Sequence, residues 1–183
     1  ALDRPSLPEK HRMTMKTFRR TVESYRAGAL TMPREYYTSP EILAEESEKI
    51  FARQWHCVGR ASAIPDPGDW VLRTVAGESL IVVRGKDGVL RALFNVCRHR
   101  GTRICREARG SFSGSIQCPY HAWTYATDGR LLGAPHMQEV PGSWKADHGL
   151  QAAAHAEWEG LVFVNIDRAP QPFADWFAPM LRR

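Results

Sequence analysis

Asn95-Val96-Cys97-Arg98-His99-Arg100-Gly101 and Cys118-Pro119-Tyr120-His121-Ala122-Trp123-Thr124-Tyr125 decide how this chain is read. Each stretch holds one thiol and one imidazole, and together they give the pattern C-x-H-x18-C-x2-H. A binuclear iron-sulfur centre with two cysteines on one iron and two histidines on the other needs such a pair of loops, one reaching in from each side. Cys97, His99, Cys118 and His121 are the candidate ligands. The competing use of two cysteines and two histidines is a structural zinc site. Zinc modules usually take two like ligands from each turn, whereas each turn here supplies one of each kind. The mixed spacing favours the cluster.

Ligand charge gives the mixed set a purpose. Two ferric ions, two sulfides and two thiolates sum to about zero with neutral imidazoles, whereas four thiolates would leave the oxidised cluster near about −2. Adding an electron is less opposed in the mixed site.

The residues around the candidate ligands resemble the cluster loops of Rieske non-haem iron oxygenase α subunits, of the ring-hydroxylating dioxygenase and quaternary-ammonium demethylase type. Thr127-Asp128-Gly129-Arg130-Leu131 and Trp158-Glu159-Gly160-Leu161-Val162-Phe163-Val164-Asn165 continue the likeness, which covers roughly residues 33 to 181. The x18 spacer is about one residue longer than this family leads one to expect, and the stretch Gly110 to Ser115, read as a hairpin turn, can take the excess. Respiratory Rieske proteins tie their two loops with a disulfide; the corresponding positions here are Thr102 and Tyr120, so that bond cannot form. The resemblance then implies the lower-potential oxygenase or ferredoxin branch.

Composition sets the frame. The 183 residues, 43% hydrophobic, suffice for one domain with an appended arm. No apolar run has bilayer-spanning length and the first residues lack a signal-peptide core, so a cytoplasmic protein is the expectation. Residues 1–34 carry eight Lys/Arg against three Asp/Glu, and residues 35–183 carry seventeen of each, so the net charge of +5 resides in the N-terminal arm. Met13, Met15, Phe18, Val22 and Tyr25 allow an amphipathic helix there, but a solvated helix or partly disordered arm is the simpler reading, and no nucleic-acid-binding motif follows it. Of the remaining cysteines, Cys57 reads as a buried thiol in a strand and Cys105 lies near the first loop. A disulfide between them is not expected beside a cytosolic iron-sulfur site.

Ser39-Pro40-Glu41 reads as a helix start, with Ile42, Leu43, Ile50, Phe51 and Trp55 as an apolar stripe that packs on a sheet, so the helix should run to about Trp55. Beyond it, turn residues recur every eight to twelve positions, the punctuation of antiparallel β structure. Strands are expected near 55–61, 69–75, 79–84, 89–95, 114–117, 123–126 and 160–166. The fold class is mainly β with an N-terminal helix, and the resemblance implies a Rieske-type antiparallel β-sandwich with a small cluster-binding subdomain. The expected division is a basic arm (1–36), a Rieske [2Fe-2S] domain (37–175) and the start of a linker (176–183) to a catalytic domain outside this sequence.

Within the loops, Gly101 would let backbone approach the sulfurs, Pro119 would stiffen the second turn, and Tyr120 flanks a ligand; Gly101 and Pro119 also suit ordinary turns. Trp123 and Tyr125 would shield the cluster, Tyr125 chiefly by core packing. Arg91, Arg98, Arg100, Arg103, Arg106 and Arg109 oppose only Glu107, a basic rim that could attract an acidic donor or simply be a solvated face. His136, His148 and His155 read as surface or packing histidines, and no H-x4-H segment with an upstream acid supplies a facial triad.

The resemblance implies an electron-transfer domain of an oxygenase, an oxidoreductase in its full form. It takes single electrons from a ferredoxin or flavin reductase and feeds a mononuclear Fe(II) that activates O2 for hydroxylation or N-demethylation. It also implies a homotrimer, with electron exit through His99 or His121 and no nucleic-acid or membrane partner. The first loop looks especially like that of quaternary-ammonium demethylases. A stand-alone Rieske ferredoxin-like carrier is the first alternative and a structural zinc module the second.

Overall fold

The structure, a computed structural model, describes residues 31–137, 139–140 and 144–181. The basic arm up to residue 30 lies outside the described residues. The chain divides into two compact units, residues 1–39 and 40–183. The described part of the first holds one short helix, α1 (Glu35–Thr38), with exposed Tyr36 and Tyr37.

The second unit opens with α2 (Pro40–Lys49), which starts at proline as expected, with Glu41 in its first turn and Lys49 in its last. It does not reach Trp55. The chain passes into a 3-10 turn (Phe51–Arg53) and an extended Gln54, because β1 (His56–Arg60) must begin two residues later. The stripe does not pack on a sheet: no residue of α2 is buried, and Leu43, Ile50 and Phe51 are exposed. Trp55 alone enters the core, held by its indole N–H donating to Gln171 O at 2.9 Å and by an edge-on contact with Phe173 of α3 (Phe173–Leu181).

Nine further strands follow: β2 (Asp69–Val75), β3 (Glu78–Arg84), β4 (Leu90–Phe94), β5 (Arg109–Ser111), β6 (Ile116–Gln117), β7 (Thr124–Tyr125), β8 (Leu131–Gly133), β9 (Ala152–Trp158) and β10 (Leu161–Asn165). Seven form one antiparallel sheet in the order β1-β10-β9-β4-β3-β2-β5, and β6-β7-β8 form a second. The large sheet is joined across its middle by only a short β4–β9 pairing, Ala92↔Ala153 and Leu93↔Ala152. Its two halves share a core: Val71, Val82 and Leu90 meet Val162, and Leu80 and Ala92 meet Ala153 and Val164. This is the sandwich.

β3 explains how the sandwich carries the ligand loops. Leu80, Ile81, Val82 and Val83 are all at most 2% exposed, so the strand is buried on both faces and reads as a continuous apolar run. One face holds the sandwich core. The other, with Ile81 and Val83, packs with Leu93 against Ile104, Ile116, Trp123, Tyr125 and Leu131 of the ligand-bearing subdomain. At about 2 kcal/mol for each fully buried aliphatic side chain, this shared strand binds the two layers into one body.

Three strands escaped the expectation. β9 is Ala152-Ala153-Ala154-His155-Ala156-Glu157-Trp158, helix-favouring by composition, and becomes a strand because β10 and β4 pair with its two edges. β5 takes Gly110 and Ser111 from the stretch read as a hairpin turn and adds them to the edge of β2, while Gly114 (φ +118) turns the chain toward the second sheet. β8 is three residues long. Cys57, expected inside, is exposed: β1 is an edge strand, and a bulge between Cys57 and Gly59 leaves the thiol on the outer face.

Candidate metal centre

β4 and the β6–β7 hairpin deliver the two loops to the same place. Cys97 and Cys118 are 2% and 3% exposed, and their thiols lie within hydrogen-bonding reach of each other. Burial pushes the Cys118 thiol up, while the backbone N–H groups of Tyr120 and His121, aimed at its sulfur, oppose that. Those donors would stabilise a thiolate.

The imidazoles pair separately. His99 and His121 stand edge to face with centroids 4.7 Å apart. Their Nδ1 atoms are buried and are the only buried side-chain N or O atoms among the described residues without a hydrogen-bond partner. Two such nitrogens side by side are rare in a folded protein and call for an acceptor of their lone pairs. His99 is held below the ordinary histidine range, first by burial, then by the neighbouring His121 and by Arg100, so it stays in the neutral form that ligates metal. The grouping is therefore two adjoining thiols and two adjoining imidazole nitrogens, a number and pairing that suit two irons. Among the described residues no three His, Cys, Asp or Glu side chains converge on one ion, as a tetrahedral zinc site requires. The residues fit a binuclear cluster.

The surroundings divide by role. Trp123, 3% exposed, lies parallel on the His99 ring at 4.8 Å and 8° and is backed by Trp144 and His148. Tyr120 covers His121 with ring centroids 3.7 Å apart and is itself 59% exposed. Gly101 adopts φ +69 and donates its N–H to Cys97 O at 2.9 Å; its Cβ direction is open among the protein atoms, so conformation is what asks for glycine there. Pro119 is exposed at the turn of the second loop. Arg98 and Arg100 are exposed and make no ion pair among the described residues, as do Arg103, Arg106 and Arg109. Arg91 leaves the expected rim: its guanidinium grips Asp87 at 2.8 and 2.6 Å and holds that carboxyl well below the usual range.

Two residues do more than composition suggested. Tyr125, fully buried, does not merely pack: its hydroxyl lies 3.2 Å from Cys97 Sγ and accepts the Arg98 N–H at 3.1 Å, which leaves the phenolic proton for the sulfur. Asn95, 1% exposed, accepts the Ile104 and Cys105 N–H groups on Oδ1 (3.0 and 2.8 Å) and donates from Nδ2 to Cys105 O (2.8 Å) and Ser79 Oγ (3.2 Å). The one available signal for Asn95 was a lone amide in the apolar run Leu93-Phe94-Asn95-Val96. All four cysteines are free, and burial pushes the Cys105 thiol up to about 12. His136 and His155 are exposed and His148 packs on the tryptophans.

Residues 54–144 match the Rieske [2Fe-2S] domain family. The oxygenase subunit of carnitine monooxygenase from Acinetobacter pittii is 40% identical over 139 residues, covering 76% of this chain and 37% of that subunit. Biphenyl 2,3-dioxygenase subunit alpha from Rhodococcus jostii is 39% identical over 132 residues, covering 72% and 28%. In three dimensions the apo quaternary ammonium Rieske monooxygenase CntA matches with a TM-score of 0.77 at 37% identity, covering 85% of this chain and 45% of that one. The chain thus spans only about a third of the length of these curated relatives. Family match, sequence identity and overall fold agree, and through residues 54–144 the chain belongs to the Rieske [2Fe-2S] domain family, in the form carried by oxygenase α subunits.

Proposed function

We propose that Cys97 and Cys118 hold one iron of a [2Fe-2S] cluster and that His99 and His121 hold the other through Nδ1. The domain would relay single electrons from a reductase or ferredoxin to a mononuclear iron that activates O2 for hydroxylation or N-demethylation. The observation that carries this reading is the pair of buried, partnerless Nδ1 atoms beside a pair of adjoining thiols. The cluster supplies a site that stores one electron at a time. The chain's own residues do the rest. The N–H groups of Tyr120 and His121 and the Tyr125 hydroxyl point at ligand sulfurs and favour the more negative state, and Trp123 keeps water from the His99 face. With Nδ1 turned inward, Nε2 of each histidine is left toward the surface, where an electron or a proton can leave.

No 2-His-1-carboxylate set is present among the described residues, so the O2-activating iron is assigned to protein outside them. A quaternary ammonium substrate is favoured by the carnitine and glycine betaine monooxygenase relatives, though the dioxygenases match nearly as well. A homotrimer and a cytoplasmic setting complete the proposal; thiolate ligands and free cysteines suit a reducing compartment. Exposed, unpaired Arg98 and Arg100 beside His99 would steer an acidic donor.

The test is analytical and kinetic. Purified protein should contain two irons and two acid-labile sulfides per chain; stoichiometric zinc without sulfide after anaerobic reconstitution would sink the reading. With a competent reductase, O2 and a quaternary ammonium or aromatic substrate, these 183 residues should take up electrons and form no product. Glu at both Arg98 and Arg100 should slow reduction by an acidic donor at low salt and matter little at high salt, because exposed charges are screened beyond about 8 to 10 Å at physiological ionic strength.

A further inference from the structure

The nine residues from Cys97 to Cys105 contain no helix or strand, yet they place two of the four donors. Inside the loop, backbone bonds close only its tip: Gly101 N–H donates to Cys97 O (2.9 Å) and Cys97 N–H to Thr102 O (2.8 Å). Those two bonds do not by themselves fix the tip's tilt against the sandwich. Tyr125 steadies the tip from β7, Ile104 and Cys105 pack in the core, and at the neck one side chain, that of Asn95, joins the departure of the loop to its return. Asn95 sits at the departure of the loop, where its own N–H donates to Ser79 O (2.9 Å). Its carboxamide spans to the return of the loop, taking both N–H groups of Ile104 and Cys105 and giving to Cys105 O, and its last proton goes back to Ser79 Oγ near the start of β3.

An amide has two donor protons and two acceptor lone pairs, and Asn95 uses all four. A buried, saturated amide has one orientation, because turning it over would set its NH2 against the Ile104 and Cys105 N–H groups. We infer that Asn95 is the positioning residue of the first ligand loop: it ties both ends of the loop to β3 and so sets where Cys97 and His99 stand and how closely the cluster's potential is defined. This rests on the cluster reading above and extends it to a residue that touches no metal. Ser79 is its anchor, and Tyr125, which reaches Cys97 and Arg98 from β7, is a separate support that stays in place when Asn95 is changed.

Three variants at one position test it. Asn95→Asp keeps both acceptor bonds to Ile104 and Cys105 but loses the donation to Cys105 O and sets a carboxylate oxygen against that carbonyl. Asn95→Gln keeps the amide but moves it by one methylene, and Asn95→Ala removes it. In the reduced, cluster-loaded protein, Asp, which keeps two of the four bonds, should disturb g values and line widths less than Ala does. Gln and Ala should shift or broaden them and lose iron to a chelator about ten-fold faster, the usual scale for removing a support outside the ligand set. Far-UV circular dichroism taken alongside shows that the sandwich is intact, and where Ala does not fold, Gln carries the same comparison. Wild-type g values, line widths and chelation rates in Gln or Ala would overturn the positioning role. An unchanged chain that binds no cluster would overturn the cluster reading instead.

Discussion

Both ligand loops close their tips by the same pair of backbone bonds, Cys97 N–H to Thr102 O and Gly101 N–H to Cys97 O in the first, but the first runs on to Cys105 and takes further support from outside, whereas the second passes directly into β7. From Cys97 to Cys105 the chain leans on Asn95 at its neck and on Tyr125, whose hydroxyl crosses from β7 to Cys97. From Cys118 to Trp123 the backbone closes on itself: Cys118 N–H donates to Trp123 O (2.8 Å) and Ala122 N–H to Cys118 O (3.1 Å), just beyond the Gln117↔Thr124 rung of β6 and β7. Its donors to the Cys118 sulfur are backbone too. A wide loop costs more entropy to close and borrows distant side chains; a tight hairpin turn needs only the right backbone conformations. The first loop should accordingly be tunable by side-chain substitution, and the second should respond mainly to residues that bear on backbone shape.

The largest effect expected from a single atom is on the first loop. Tyr125→Phe removes the phenolic donor to Cys97 and leaves the ring in place. That hydrogen bond strengthens as the cluster gains negative charge, so the midpoint potential should fall by on the order of 40 mV, the one-electron equivalent of about 1 kcal/mol. A potential unchanged by voltammetry would mean that the hydroxyl does not bear on the sulfur. The corresponding donors in the second loop belong to the backbone, so among substitutions only proline, at Tyr120 or His121, would remove one.

Cys105 gives a pH-dependent contrast. Burial raises its thiol from 9.0 to about 12, so the folded state favours the protonated form. The stability this contributes is fully present below pH 9 and is lost as the pH climbs from there toward 12. Alkaline unfolding of Cys105→Ala should therefore be less steep over that window than that of the unchanged chain. In the native protein near pH 8, iodoacetamide should reach Cys57, which is exposed, and leave Cys105 alone until denaturant is added. Equal labelling of the two would refute the buried, protonated thiol.

The smallest effect belongs to the second loop. Ala122 adopts φ +55, a conformation that costs a residue with a Cβ about 1 kcal/mol or more. Ala122→Gly relieves it at some entropic cost in the unfolded chain, and should stabilise the cluster-free protein by up to about 1 kcal/mol in urea unfolding without moving the g values. A clear loss of stability would show that the methyl group has a packing role stronger than the strain.

The same contrast governs what could be read in the sequence. The two Cys/His pairs that the structure brings together were legible because each is a short, local pattern, and β2, β3 and β4 were legible because their apolar runs end at Gly or Pro turns. Tyr125 acts across 28 residues on Cys97, and nothing in the local sequence tells a hydrogen-bonding tyrosine from a packing one. Asn95 reaches only ten residues ahead to Cys105, but across a loop whose path is not encoded by periodicity. β9 went unseen because its alanines carry no strand preference; pairing on both edges decides it. α2 ended early for a similar reason, since Trp55 belongs to a pocket formed with Phe163 and Phe177 more than a hundred residues later.

The central claim is that the two partnerless imidazole nitrogens are iron ligands. Pulsed electron paramagnetic resonance on the reduced protein, grown with every histidine nitrogen as nitrogen-15, tests it most directly. The expected result is two strongly coupled histidine nitrogens, one of which disappears in His99→Ala or His121→Ala wherever a cluster is retained. A reduced cluster with no strongly coupled histidine nitrogen, or with the same two couplings after either substitution, would contradict it.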